Sequence, residues 1–151
     1  MKIIQLVLFS FCVGICYYAF SISALGITSA LDTSWWIEMG GNHHLLHITK
    51  NFIGIGFAAF IPSLLVYNYE FERKWVSLSI IIVCSMMLHG NAHEMSLSPY
   101  GVIRFVEETL INGDIGSVGV FMEILILPII WIVTLKRIAD IKIHSKVKKA
   151  Y

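Results

Sequence analysis

The chain has 151 residues, of which 57% are hydrophobic and 14% charged, and eleven Lys and Arg against ten Asp and Glu leave a net charge of +1. Its mean hydropathy is +0.76, whereas a soluble domain is about 45–50% apolar and about 25% charged, so a globule this small has too little polar surface to cover its apolar mass. Disorder, collagen-like repeats and nucleic-acid binding are excluded, three Cys are too few for a disulfide scaffold, and an integral membrane protein remains.

Four stretches lack fixed charge: 3–31, 51–69, 75–93 and 115–135, the last interrupted only by Glu123. Crossing the hydrocarbon core takes roughly 20 residues, and each stretch meets or nearly meets that length. The sequence therefore predicts an all-α integral membrane four-helix bundle, up-down-up-down, as one transmembrane domain over 1–151.

The first helix is expected over about 3–30. Lys2 ahead of an apolar run resembles a secretory signal, but the run outlasts a signal's apolar region of about 7–15 residues, so a retained helix is expected. Cys12 and Cys16 on this helix and Cys84 on the third read as small apolar packing residues.

Gly40-Gly41-Asn42 breaks the chain and offers Asn42 as an N-cap, so the second helix is expected from His43 to about 69. The third is expected over about 75–94 and the fourth over about 115–137. Gly54, Gly56, Gly116 and Gly119 suit close helix approach, and Pro62 and Pro128 should kink the second and fourth helices. Between the last two, Ser98-Pro99 starts and Asn112-Gly113 stops a short amphipathic helix of about 99–111, whose stripe of Ile103, Val106 and Leu110 suits the membrane interface. A basic tail, 138–151, follows and extends the last helix.

Alternation puts Lys2, Arg73, Lys74 and the six basic residues from Lys136 onward on one side, leaving Lys50 and Arg104 on the other. The positive-inside rule makes the first side, with both termini, cytoplasmic in a bacterial or archaeal cytoplasmic membrane. Trp35 and Trp36 then fall at the outer interface, Trp75 and Trp131 at the inner one.

Five of the six His belong to the outer half: His43, His44, His47, His89 and His93. His43 and His47, like His89 and His93, are four apart and share a helix face. Antiparallel second and third helices would set His47 level with about Glu94. Glu123 lies roughly 12 Å below the outer end of the fourth helix, where a carboxylate is costly and marks a functional site. It is open to three roles: neutral, paired with Lys50, or a ligand or proton relay. The expected metal ligands are therefore His43, His47, His89, His93, Glu94 and Glu123, with His47 and His93 as the axial pair for a haem. Imidazole with the nearby Met39, Met86, Met87, Met95 and Met122 suits copper; imidazole with carboxylate suits zinc or iron; two axial imidazoles suit a b-type haem. A cofactor-free hydrogen-bond network at the interface is the competing expectation.

Some segments resemble the DoxX-like superfamily of small bacterial membrane proteins. These are Asn51-Phe52-Ile53-Gly54-Ile55-Gly56-Phe57, a charged turn before the third helix, Leu88-His89-Gly90-Asn91-Ala92-His93 running on to Pro99, and Val120-Phe121-Met122-Glu123. Where many members show Gly-Arg at the end of the third helix, this chain has His89-Gly90. The resemblance implies a four-helix plan; some members are linked to thiosulfate oxidation with quinone or to oxidative-stress complexes, and no catalytic residue carries over.

Three functions stay open on the sequence. They are a metal- or haem-binding redox or accessory membrane protein, a non-catalytic packing subunit of a larger membrane complex, and a small proton-coupled carrier using Glu123. Beyond the lipid bilayer, the partners expected are other membrane subunits or further copies of the chain, and no nucleic acid.

Overall fold

A computed structural model describes residues 3–69, 73–94, 103, 107, 110–113 and 115–149, with side chains described except at 37, 90–94, 117 and 142–149. The chain order is α1 (Ile3–Ser29), α2 (Ser34–Glu38), α3 (His43–Asn68), α4 (Lys74–Glu94) and α5 (Ile115–Lys149). All of this is helix, with no strand among the described residues. Among the described residues three helices are long and apolar enough to cross a membrane, with spans at Ile3–Ser29, His43–Asn68 and Val118–Ile141. Within α4 the described residues contain a shorter apolar helix, Lys74–His89. Within the three spans only 28%, 39% and 33% of residues are buried, so most of their apolar surface faces outward. Soluble monomers rarely expose apolar patches on that scale, and a lipid surrounding removes the penalty.

The connections show why the helices begin and end where they do. α1 runs out at Ser29, and Asp32 then accepts the Ser34 backbone N–H at 3.0 Å to start α2. That bond holds the exposed Asp32 carboxyl below its ordinary range. Gly40 sits at φ +76, and a Cβ on Gly41 would come within 2.1 Å of the Trp36 indole nitrogen. The double glycine thus lets the chain turn back under Trp36, whose indole N–H donates to the Asn42 carbonyl at 3.2 Å. Asn42 caps α3, its side chain accepting from the Leu45 N–H at 3.0 Å. At the other end of α3, Lys74 donates to the Tyr67 carbonyl at 2.8 Å and lies 4.6 Å above the Tyr67 ring, the favoured end of the helix for a cation.

Helix directions follow from which residues meet. Ser10 shares a 2.7 Å hydroxyl bond with Ser77, Gly14 abuts Cys84 and Tyr18 packs on His89, so α1 and α4 run the same way. Thr28 bonds Asn51, Ala24 meets Gly54 and Phe9 stacks with Tyr69, so α3 opposes α1. Gly119 abuts Ile48 and Ser63 donates to the Pro128 carbonyl at 3.1 Å, so α5 runs with α3. α1 packs along both α3 and α4, and α3 along α5, while α3 and α4 touch only sparsely. Small and hydroxylated residues dominate these seams, as expected where no hydrophobic effect drives association.

Two expectations change. Gly56 is open on its Cα side rather than pressed on a helix; its carbonyl instead accepts the Trp131 indole at 2.8 Å. Trp131 is accordingly half-buried between α3 and α5, against Phe60. Cys12 and Cys16 are exposed on α1, and only Cys84 packs inward. α5 continues unbroken through the basic tail to Lys149. Of the short helix expected at 99–111, Ile103, Glu107 and Leu110 are helical, and the Ile111 N–H donates to the Glu107 carbonyl at 2.9 Å. The rest of it lies outside the described residues.

Candidate functional site

Glu123 stands on the buried side of α5, 7% exposed, in the sequence Phe121-Met122-Glu123-Ile124. Phe121, Ile124 and Leu127 lie beside it in the core and turn this face of the helix inward. Among the described residues neither carboxyl oxygen has a hydrogen-bond partner, and the pairing with Lys50 does not form. An unpartnered carboxyl among apolar side chains is an expensive arrangement, and α5 is apolar enough to span a membrane.

His89 is a second buried polar group of this kind. It is 6% exposed on α4, its Nε2 has no partner, and its ring meets Tyr18 edge-on at 4.9 Å between centroids. One turn back on the same face, the buried Ser85 hydroxyl also has no partner. That is unusual for this chain, since Ser10, Ser21, Ser63 and Ser79 all return their hydroxyls to the carbonyl four residues earlier. Adjacent residues of α1 link the two helices: Tyr17 donates to the Ile124 carbonyl at 2.8 Å, and Tyr18 touches His89. Ser85, His89 and Glu123 are thus three buried polar groups without a partner among the described residues, on two helices that both touch the Tyr17–Tyr18 segment of α1.

Tyr17 reaches Ile124 for a covalent reason. Position 128 is Pro, which has no N–H, so the Ile124 carbonyl four residues earlier lacks its helical donor. The fully buried Tyr17 hydroxyl fills that vacancy beside Glu123. A second polar group sits nearer the His43 end of α3. The Thr28 hydroxyl bonds the Asn51 carbonyl oxygen, and the Asn51 amide lies 3.3–3.4 Å from the two ring nitrogens of His47. Asn51 and Thr28 are buried and His47 is half-buried.

The other expected ligands are described only in part. His43 and His44 are exposed and stacked on each other, 5.8 Å apart at 22°. His93 and Glu94 are in α4, but their side chains lie outside the described ones. Met39, Met87 and Met122 are exposed and Met86 is buried; Met95 is outside the described residues. Among the described residues no group of three or more His, Cys, Asp or Glu is placed to hold a metal ion. Pairing His47 with the α4 histidines supposes that α3 and α4 are close neighbours, whereas α1 packs along both. Sequence reasoning missed Ser85, Tyr17 and Thr28. The signal for Tyr17 was Pro128, which announces a carbonyl in need of a donor without saying which residue supplies it.

No protein-family model, curated protein or solved structure matches this chain.

Proposed function

We propose that the chain is a small proton-coupled carrier of a cytoplasmic membrane, built as a four-helix up-down-up-down bundle with both termini cytoplasmic, in which Glu123 takes up and releases the proton. The charge-free stretches and the nine basic residues on one side support the topology. The four-helix plan is also what the DoxX-like resemblance implies. The observation that carries the function is the buried Glu123 carboxyl with both oxygens unpartnered. A carboxyl so placed either exchanges a proton or has its charge met by a cationic guest, and a carrier couples those two states. His89 and Ser85, buried and also without a partner among the described residues, are the groups with which a proton or guest would be shared. The Thr28–Asn51–His47 chain supplies polar atoms from the outer end of α3 inward. Four short helices leave little room for an aqueous path in one chain, so the working unit is an oligomer.

The test uses protein in lipid nanodiscs and infrared spectroscopy across a pH series. A carboxylic-acid C=O band that responds to pH and is missing in Glu123→Gln is expected, and in proteoliposomes the same variant should lower proton flux by about tenfold or more. If Glu123→Gln leaves the spectrum and the flux unchanged, the reading fails and a packing-subunit role stands in its place. Stoichiometric metal or a Soret band lost in His89→Ala would replace it with a cofactor-holding role, which needs more ligands than His89 and Glu123.

A further inference from the structure

A groove of about 370 Å³ runs along the outer surface between α1 and α3. Its walls include Ala24, Ile27 and Thr28 from α1 and Gly54, Phe57 and Ile61 from α3. Volumes of roughly 300–1,000 Å³ suit a ligand-sized guest. The two hydroxyls in this wall make no demand on a guest. Ser23 donates to the Ala19 carbonyl at 2.8 Å, and Thr28 is turned toward Asn51 and the Leu25 carbonyl, leaving its methyl against Gly54. The groove therefore recognises hydrocarbon alone.

Its outer end is different. Lys50, Gly54, Phe57 and Ile61 fall at i, i+4, i+7 and i+11 of α3, one face of the helix. This places Lys50 about one turn, roughly 6 Å, beyond the apolar floor. Lys50 is half-buried, and no carboxylate pairs with it among the described residues. It is also one of the two basic residues on this side of the chain, against nine on the other. A slot for a hydrocarbon chain, capped by an unpaired cation one turn further out, is complementary to one kind of molecule. We propose that the α1–α3 groove binds an anionic lipid of the surrounding bilayer, its acyl chain in the groove and its phosphate on Lys50. This rests on the membrane reading but does not depend on Glu123.

Native mass spectrometry of the detergent-purified chain, supplied with phosphatidylglycerol or phosphatidylcholine, tests the proposal. Phosphatidylglycerol should be retained about fivefold better, the ratio that about 1 kcal/mol per surface cation gives. Lys50→Gln should bring the two lipids level by lowering phosphatidylglycerol alone, and Lys50→Arg should keep the preference. Ser23→Phe, which enters the groove from its open side, should lower retention of both. Equal retention by the wild type, or an undiminished preference in Lys50→Gln, overturns the proposal. So does a dimer that Ser23→Phe dissociates with no lipid preference, since the groove then belongs to a second copy. Alkaline carbonate extraction separates the two failures. A chain that carbonate strips from membranes defeats the membrane reading, whereas one that stays embedded without preferring the anionic lipid defeats only this site.

Discussion

Tyr17 shows how one residue answers a defect created on another helix. Pro128 removes the donor for the Ile124 carbonyl, and the fully buried Tyr17 hydroxyl replaces it at 2.8 Å across the α1–α5 gap. Tyr17→Phe keeps the ring and its packing but leaves the carbonyl unmet in an apolar surrounding. The expected cost is about 0.6–1.7 kcal/mol of stability in detergent, measured by denaturant titration. The variant should also disturb the Glu123 infrared band, because Ile124 is its neighbour; an unchanged band would show that Tyr17 serves packing alone. Ser63 works similarly one step away, donating both to the Ala59 carbonyl and to the Pro128 carbonyl at 2.7 and 3.1 Å. Pro128 is thus built into the α3–α5 seam through its carbonyl.

At the scale of the elements, the helix ends follow local chemistry and the seams follow side-chain size. Asn42→Ala should cost about 1 kcal/mol and fray the first turn of α3, seen as faster amide hydrogen exchange at Leu45. Unchanged exchange would show that packing by Trp36, whose indole holds the Asn42 carbonyl, fixes that turn alone. Along α1 the closest approach is at Gly14, where a Cβ would sit 2.8 Å from the Cys84 Cβ. Nothing in an apolar run such as Phe11-Cys12-Val13-Gly14-Ile15 marks that glycine as a contact with α4. Gly54 and Gly119 do press on α1 and on Ile48, as their small size suggests, while Gly56 serves through its carbonyl. Small residues flag possible seams; the rotation of each helix about its axis selects among them.

For the whole molecule, the contacts give the relative directions of the described helices, and the proposed sides rest on charge. In a background with the three native Cys replaced, Thr33→Cys should react with a membrane-impermeant maleimide on intact cells. Arg73→Cys should react only after the cells are opened. The opposite pattern would invert the topology and move the His-rich end to the cytoplasm. The candidate site also takes shape only at this scale. Glu123 stands out in the sequence as a lone acid in an apolar stretch, and the structure leaves it buried and unpartnered. Of the described histidines, His43 is exposed, His47 meets Asn51, and His89 is buried against Tyr18.

What the chain's own chemistry determined is the membrane class, the apolar helices, the N-cap at Asn42 and the cost of Glu123. These depend on composition, on local hydrogen bonding and on transfer into hydrocarbon, all of which act within a few residues. What only the tertiary structure decided is who meets whom. α3 packs along α1 and α5 rather than along α4; Tyr17 fills the gap left by Pro128; Ser85, His89 and Glu123 end up buried without a partner among the described residues. Hydropathy is nearly uniform around these helices, so it cannot specify which face turns inward. That choice is made by interlocking of small residues and by buried polar groups finding partners, both of which exist only once the helices are together.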